Sequence, residues 1–307
     1  MSSTHLLGPQ RFLTTAGAVV RSLDIEGPVA TITAGWEERE SDDGELDSVM
    51  DGRTRNLRLF GRMMDVLERD DVVAAAALAL RDGVDDLAGT YSVRLHHALD
   101  AVYAVRRRKG RADVLDAAYE DGVEAVRRLD QWYLDEVRHL YGEAYATGSA
   151  GRSELWAEHR AEVTELLARS SVLAVAGGHV GMLLRTMQFF SIRPPAELPV
   201  VAWSAGAMAM TRNVVLFNDF VQGQPGAEVW DRGLARVEHI VALPHARRRI
   251  QLEDRVRMQV FVKRFEGYAC LRLDDGAKVA VGPDGTLPPG ARVIRPDGTV
   301  GVVEAAA

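Results

Sequence analysis

Cysteine is almost absent from the sequence, since Cys270 is the only one among 307 residues. A single cysteine forms no disulfide within the chain, and a cysteine-rich zinc site is excluded as well. Long hydrophobic runs are also missing: the longest is the alanine-rich stretch Val72–Leu80, far short of the roughly 20 residues that a membrane span requires. We therefore expect a protein with a reduced thiol and no membrane partner.

Positive charge is in deficit, with 37 Lys and Arg residues against 44 Asp and Glu residues and a formal net charge of −7. Non-specific binding to nucleic acid needs a basic surface that displaces counterions from phosphates, so this balance argues against a nucleic-acid partner. Residues 1–20 alternate polar and apolar side chains and lack the continuous apolar core of a signal peptide. Together these features predict a cytoplasmic protein.

Several short apolar runs are rich in β-branched residues and predict strands buried on both faces of a parallel sheet. The clearest are Val29–Ala34, Val172–Ala176, Pro199–Trp203 and Ile240–Leu243, followed by Ala269–Leu273 and Lys278–Val281. The second and third of them lead through glycine into helical patterns. We predict a single α/β domain over residues 1–307, with a small C-terminal β extension over residues 283–307 that two Pro-Asp-Gly turns punctuate.

Residues 54–169 show a different period. Apolar side chains such as Tyr91 and Leu95 recur there at spacings of three and four, which is the period of a helix face. Glycines at positions 83 and 110 are candidate breaks between successive helices. We predict a helical insertion over this range, with no strand inside it, that caps a site or forms the interface of a homo-oligomer.

The sharpest local signal is the segment Ala202-Trp203-Ser204-Ala205-Gly206-Ala207, between a predicted strand and a predicted helix. A serine flanked by small residues at such a turn is typical of a nucleophile elbow, in which a strained backbone exposes the hydroxyl. The start of the following helix supplies free N–H groups for a developing oxyanion. The alternative is that Ser204 only caps the helix, a role that serine fills well.

A serine nucleophile needs a base, and His245 is the best-placed histidine. It follows the predicted strand Ile240–Leu243 at the carboxyl end, the edge at which sites collect in open α/β sheets. His239, at the other end of the same strand, is interpreted as structural. No zincin motif, P-loop or complete Gly-x-Gly-x-x-Gly pattern is present, so we expect neither a metal nor a cofactor.

Four segments taken together resemble the peptidase S51 family of aspartyl dipeptidases and cyanophycinases. They are Gly177-Gly178-His179, the Ser204 segment, Asn218-Asp219 and Leu243-Pro244-His245. This resemblance implies a flavodoxin-like, class I glutamine amidotransferase-like fold with a mostly parallel sheet flanked by helices. A serine at the elbow, where the glutamine amidotransferases of this fold have cysteine, is evidence against glutaminase activity.

The resemblance also implies roles for individual residues. Ser204 would be the nucleophile, His245 the general base, and Asp219, fifteen positions after the serine, the acid that holds the histidine tautomer. The backbone amides of Gly178 and Ala205 would bind the oxyanion. Asp275, in the segment Leu273-Asp274-Asp275-Gly276-Ala277, is a second candidate for the acid.

Further residues are candidates for contact with the substrate. His179 stands where the family has asparagine, and a packing role is an equal interpretation of it. Asn218 precedes the candidate acid. Arg247 follows the histidine and could bind a carboxylate, although a solvated helix start is an equal interpretation. Trp36 and Arg39 lie in a loop after the first predicted strand, where a plain surface loop is the alternative.

These features predict a serine hydrolase that cleaves an amide bond in a small peptide or an amino-acid conjugate through an acyl-enzyme. Two alternatives stay open. One is an enzyme that transfers the same acyl group to an amine and so forms an amide. The other is a non-catalytic binding or regulatory protein that keeps the fold.

Overall fold

The main sheet has six strands, and their order across the sheet is Lys278–Val281, Thr4–Leu7, Val200–Trp203, Val172–Val175, Val29–Ile32 and Thr54–Asn56. The computed structural model describes residues 3–147, 149–217, 219–220, 226–282 and 284–305. Five of the strands are parallel: β1 (Thr4–Leu7), β2 (Val29–Ile32), β3 (Thr54–Asn56), β4 (Val172–Val175) and β5 (Val200–Trp203). The sixth strand, β10 (Lys278–Val281), pairs with β1 in the antiparallel direction. The predicted fold class, a mostly parallel α/β sheet with helices around it, is confirmed.

The central strands are buried over their whole length because both faces of the sheet are covered. In β4, Leu173 and Val175 belong to the larger hydrophobic core, whereas Val172 and Ala174 belong to a smaller core on the other face. This alternation follows from the period of two in a strand. Continuous apolar runs of β-branched residues are therefore what these positions require.

A second sheet has the order β12-β11-β9-β8 and consists of β8 (Ile240–Pro244), β9 (Ala269–Leu273), β11 (Arg292–Ile294) and β12 (Val300–Val302). Strands β8 and β9 are parallel, so their carboxyl ends meet at one edge. That edge lies against the end of β1, where a Cβ built on Gly8 would be 2.0 Å from the Asp274 carbonyl oxygen. An antiparallel pair, β6 (Asn213–Leu216) and β7 (Glu228–Arg232), lies between the sheets in sequence.

Ten α-helices surround the sheets in the described residues. They are α1 (Ala16–Ser22), α2 (Gly44–Val49), α3 (Leu59–Arg69), α4 (Asp71–Arg107), α5 (Ala112–Tyr141), α6 (Glu154–Ala168), α7 (Val180–Phe189), α8 (Ala205–Ala209), α9 (Ala246–Arg249) and α10 (Arg255–Arg264). Shorter helical segments of 3₁₀ or π type span Ala34–Arg39, Gly142–Thr147 and Ser149–Arg152. Over the described part of the chain, none of the helices combines the length and the hydrophobicity that a bilayer span requires.

The helical segment, residues 54–169, contains α3 to α6, and its two longest helices, α4 and α5, form an antiparallel pair. The rings of Tyr91 and Tyr133 stack between the two helices with centroids 4.3 Å apart. Two expectations for residues 54–169 are wrong. Strand β3 lies inside this range, since Thr54–Asn56 pairs with β2 as a short polar edge strand that leaves no hydrophobic signal. Gly83 does not end a helix but lies within α4, because packing of the helix tolerates one glycine.

A buried ionic cluster joins the helical segment to the rest of the molecule. The Arg264 guanidinium donates to both carboxylate oxygens of Asp130, at 2.7 and 2.6 Å, and to the Tyr91 hydroxyl at 3.0 Å. It also donates to the Ala227 carbonyl at 2.6 Å, and the Tyr91 hydroxyl donates to Asp130 at 2.7 Å. The cluster therefore ties α4, α5 and α10 to the segment that leads into β7.

We expect Arg264→Met to lower the free energy of unfolding by about 3–5 kcal/mol, because it leaves the Asp130 carboxylate buried without a counter-charge. The double variant Asp130→Leu/Arg264→Met should recover part of this loss, since it removes both charges. Urea denaturation followed by circular dichroism measures both effects. A single variant as stable as the wild type would show that the cluster does not hold these elements together.

Candidate active site

Ser204 lies at the turn between β5 and α8 with φ 53° and ψ −120°, a conformation that non-glycine residues rarely adopt. Its backbone amide donates to the Leu7 carbonyl at 3.2 Å, and its carbonyl accepts from the Met208 amide at 3.2 Å. The side chain makes no capping hydrogen bond to α8. The hydroxyl is therefore not used as a helix cap, and the strained turn has the form of a nucleophile elbow.

Two glycines explain why the residues around Ser204 are small. A Cβ on Gly206 would lie 2.2 Å from the Val175 carbonyl oxygen, so α8 packs directly onto the end of β4. A Cβ on Gly177 would lie 2.8 Å from the Ser204 Cβ. Because no side chain fits at either position, the turn after β4 passes directly beside the serine.

His245 lies at the carboxyl end of β8, and its Nε2 is 3.3 Å from the Ser204 Oγ. The residue adopts a left-handed conformation with φ 56° and ψ 28°, and its amide donates to the Leu273 carbonyl at 3.2 Å. A separation slightly longer than a tight hydrogen bond is common between nucleophile and base in unliganded enzymes. The structure thus brings together two residues that are 41 positions apart in the sequence.

The pKa of His245 is lowered from its ordinary value, first by burial and then by the charge of Arg249. Arg248 acts in the same direction, whereas Asp275 and Asp274 raise the pKa. Burial disfavours the charged ring, and nearby cations add to this effect. The imidazole is therefore neutral at pH 7 and is able to accept a proton.

The two candidate acids have different partners. Asp219 is almost fully buried, with 5% of its side chain exposed; it pairs with Arg257 and accepts a hydrogen bond from the Gln251 amide at 2.8 Å. Asp275 accepts from the Arg248 guanidinium at 2.9 Å. Within the described ranges, His245 forms no hydrogen bond to either carboxylate. Asp219 instead ties down the turn between α9 and α10.

The candidate oxyanion donors lie next to the serine. Gly178 has φ 125°, and a Cβ on it would lie 2.2 Å from the Gly35 carbonyl oxygen, so only glycine fits this turn. The amides of Gly178 and Ala205 donate to no other group in the part of the chain that the structure describes. Both remain available at a turn and at a helix start, the places that commonly supply oxyanion donors.

His179 caps α7. Its Nδ1 accepts a hydrogen bond from the Met182 amide at 3.0 Å, while its side chain is 65% exposed. The Glu37 carboxylate is 3.7 Å from the same nitrogen. Because an Nδ1 that accepts the amide hydrogen carries no proton, this contact is not a hydrogen-bonded ion pair. His179 stands at the rim of the site on the same turn as Gly178.

Three of the other sequence candidates lie on the segments that follow β2 and β8. Trp36 is half-buried against the smaller core, and Arg39 is exposed at the end of the 3₁₀ segment. The Arg247 side chain is exposed, and its amide donates to Asp274 at 2.9 Å. Asn218 lies outside the described residues.

The sequence analysis missed two features of this site. Asp274 is buried and accepts from the Arg272 guanidinium at 2.7 Å as well as from Arg247, so it fixes the segment after His245. Glu37 has φ 58° and ψ −127°, nearly the conformation of Ser204, within the 3₁₀ segment that follows β2. The acidic pair after β9 was a usable signal for Asp274, whereas nothing in the sequence marks Glu37.

No group of three or more His, Cys, Asp or Glu side chains in the described residues is arranged to hold a metal ion. The site therefore consists of a serine at a strained turn, a neutral histidine at a strand end and two free amides. The serine and the histidine lie at the carboxyl ends of β5 and β8, strands of the two sheets, and this is the constellation of an α/β hydrolytic enzyme.

The family model of peptidase family S51 matches residues 124–286, more than half of the chain, and this range contains Ser204 and His245. The chain therefore belongs to peptidase family S51, as the sequence resemblance indicated. The match begins within α5, so it includes part of the helical segment.

Among solved structures, the chain is similar to the crystal structure of a peptidase from an acI-B1 Actinobacterium, with 12% sequence identity and a TM-score of 0.49. The alignment covers 100% of this chain and 96% of that one. The comparison with curated proteins returned no match.

The electrostatics of the site predict how substitutions change the pKa of His245. We expect a value below the ordinary histidine pKa of about 6.5. Arg249→Gln should raise it, because a repelling cation is removed, and Asp275→Asn should lower it, because a stabilising anion is removed. NMR titration of the histidine ring protons, assigned with His245→Gln, measures each value. Shifts in the opposite directions would contradict this description of the site.

Proposed function

We propose that this chain is a serine peptidase that cleaves an amide bond in a small peptide or an amino-acid conjugate through an acyl-enzyme. The observation that carries the proposal is the 3.3 Å separation of Ser204 Oγ and His245 Nε2 at a strained strand-to-helix turn. Membership of a peptidase family supports the same class of reaction. The reaction requires no cofactor, because serine and histidine supply both the nucleophile and the proton transfers.

In the first half of the proposed reaction, His245 accepts the proton of the Ser204 hydroxyl as Oγ attacks the carbonyl carbon. The negative charge on the carbonyl oxygen is stabilised by the amides of Gly178 and Ala205, and each such donor contributes about 10²–10³ in rate. The C–N bond then breaks, and His245 gives its proton to the leaving amine. An ester of Ser204 remains.

In the second half, His245 accepts a proton from water, and the resulting hydroxide attacks the ester carbonyl. The same two amides bind the oxyanion. The C–Oγ bond breaks, Ser204 recovers its proton from His245, and the carboxylic acid leaves. If an amine takes the place of water in this step, the product is an amide, so hydrolysis and acyl transfer differ only in the acceptor.

We propose Asp275, rather than Asp219, as the carboxylate that positions His245. Asp275 has the largest pKa-raising effect of any anion on His245, and it follows the strand that pairs with β8. Both carboxylates are paired, Asp219 with Arg257 and the Gln251 amide and Asp275 with Arg248, but 36% of the Asp275 side chain is exposed against 5% for Asp219, so Asp275 is freer to turn toward the histidine. Asp219 instead positions the turn between α9 and α10, because it accepts the hydrogen bond of the Gln251 amide.

The substrate is proposed to carry a negative charge near the scissile bond. Three consecutive arginines, Arg247–Arg249, follow Ala246 in α9, the helix that His245 precedes, and all three residues are exposed. A guanidinium binds a carboxylate through two parallel hydrogen bonds. His179, Trp36, Arg39 and Asn218 remain candidates for further substrate contacts, and a cytoplasmic location and a homo-oligomer remain predictions.

The catalytic pair is tested by steady-state kinetics on dipeptides with acidic and with neutral first residues. Ser204→Ala and His245→Gln should each lower kcat/KM by about 10³-fold or more, because the members of such a unit act together. Arg81→Gln, an exposed site remote in sequence, serves as the control and should leave the rate unchanged. Either variant retaining activity within a few-fold of the wild type would refute the proposal.

The choice of acid is tested with two matched substitutions. We propose that Asp275 leaves Arg248 and bonds to His245 when substrate binds, so Asp275→Asn should lower kcat by up to about 10⁴-fold, the loss known for an acid that fixes the tautomer of a catalytic histidine. Asp219→Asn should instead lower the free energy of unfolding by about 1–3 kcal/mol, because it weakens a buried hydrogen-bonded pair. Urea denaturation and single-turnover kinetics separate the two effects. If the two variants exchange these results, Asp219 is the acid.

A further inference from the structure

A cavity of about 580 Å³ lies where the helical segment meets the α/β core. Its wall comes from the end of α5, from α6, from the second half of α7 and from the end of β7, and it includes neither Ser204 nor His245. Helix α7 begins beside Gly178 and has ten residues. At 1.5 Å per residue its far end is about 15 Å from the catalytic turn, so the cavity is a separate site.

One side of the cavity is aromatic. Tyr145 packs edge-on against Trp156, with ring centroids 5.1 Å apart, and against Phe189 at 5.5 Å. The Trp156 and Phe189 rings are 4.6 Å apart, and Tyr141 lies 6.1 Å from Tyr145. A cavity of this size with several aromatic rings is typical of sites for small molecules that have a planar apolar body.

The charged groups of the wall are mainly cationic: Arg138, Arg160, Arg193 and Arg232 face one carboxylate, Asp231. Arg138 and Arg232 are paired with Asp135, at 3.8 and 3.4 Å. Arg160 stacks on the Trp156 ring at 4.7 Å, and Arg193 donates to the Ile192 carbonyl at 2.9 Å. Across the described ranges, neither Arg160 nor Arg193 has a carboxylate partner.

The carboxylate of Asp231 is already held by partners inside the protein and pairs with neither Arg160 nor Arg193 in the described residues. It is buried, and it accepts hydrogen bonds from the Gln188 side chain at 3.0 Å and from the Arg232 amide at 2.7 Å. Burial raises the pKa of Asp231 to about 6. Two guanidinium groups are therefore left to bind an anion.

Three buried polar atoms in the same wall also have no hydrogen-bond partner among the described residues. They are Trp156 Nε1, Gln188 Oε1 and Arg232 Nε. An unsatisfied buried group costs about 1–3 kcal/mol, so their concentration around one cavity is unfavourable in the empty protein. Because neighbouring atoms cover them, a bound polar group reaches them only after small rotations of these side chains.

We propose that this cavity binds a small anion with a planar aromatic body, whose carboxylate or phosphate pairs with Arg160 and Arg193. The ring of the ligand packs against Tyr145 and Tyr141, the two aromatic residues of the wall that are partly exposed. Specificity for an anion follows from the two guanidinium groups, which bind carboxylates and phosphates through paired hydrogen bonds. The proposal goes beyond the peptidase activity and does not depend on it.

The test uses three probes with the same ring: 1-naphthyl phosphate, 1-naphthoate and the neutral 1-naphthalenemethanol. In isothermal titration calorimetry, we expect one anion to bind per chain at least about tenfold more tightly than the alcohol, the equivalent of 1.4 kcal/mol. The stronger of the two anions identifies the preferred group. Equal binding of all three probes would overturn the proposal.

The double variant Arg160→Gln/Arg193→Gln should weaken binding of the anions about tenfold and leave the alcohol unchanged. Arg81→Gln/Arg111→Gln is the matched control, because it removes the same charge from two exposed arginines of the helical segment. Anion binding should also persist in Ser204→Ala and in protein whose Ser204 carries a fluorophosphonate adduct. An equal loss in the control, or loss of binding after labelling, would place the anion elsewhere and contradict the proposal.

Discussion

The contact between α8 and the end of β4 is the constraint on which the candidate active site depends. Because Gly206 has no side chain, the helix lies directly on the Val175 carbonyl, and the chain enters it through a turn that forces Ser204 to a positive φ. This strain is maintained by backbone hydrogen bonds to Leu7 and from Met208. The turn after β4 passes beside the serine at Gly177, and this turn continues into Gly178, one of the two candidate oxyanion donors.

The sequence was a good guide to features that local chemistry determines. Runs of β-branched residues predicted β2, β4 and β5 to within two residues at their ends, and His245 follows from its position after a buried strand. Strand β3 was missed, since three polar residues at a sheet edge carry no hydrophobic pattern. The sequence spacing did not decide between Asp219 and Asp275 as the acid of the catalytic histidine. The ion pair between Asp219 and Arg257 joins residues 38 positions apart, so no local pattern indicates it.

The helical segment is held to the core by buried polar chemistry as well as by apolar packing. The Arg264–Asp130–Tyr91 cluster links α4, α5 and α10, and Arg264 and Asp130 are 134 positions apart in sequence. Long-range pairs of this kind have no local sequence signal, so only the helix faces could be predicted. The cavity between α5, α6 and α7 lies at the same junction. The segment thus supplies half of a cavity wall that a compact α/β domain would lack.

The central claim is that Ser204 is an activated nucleophile, and the most direct measurement is the intact mass of the protein after reaction with a small fluorophosphonate. We predict a single adduct on the wild type, none on Ser204→Ala, and strongly slowed labelling of His245→Gln, because the histidine accepts the serine proton. An adduct that persists in Ser204→Ala, or a wild-type protein that reacts no faster than His245→Gln, would contradict the account.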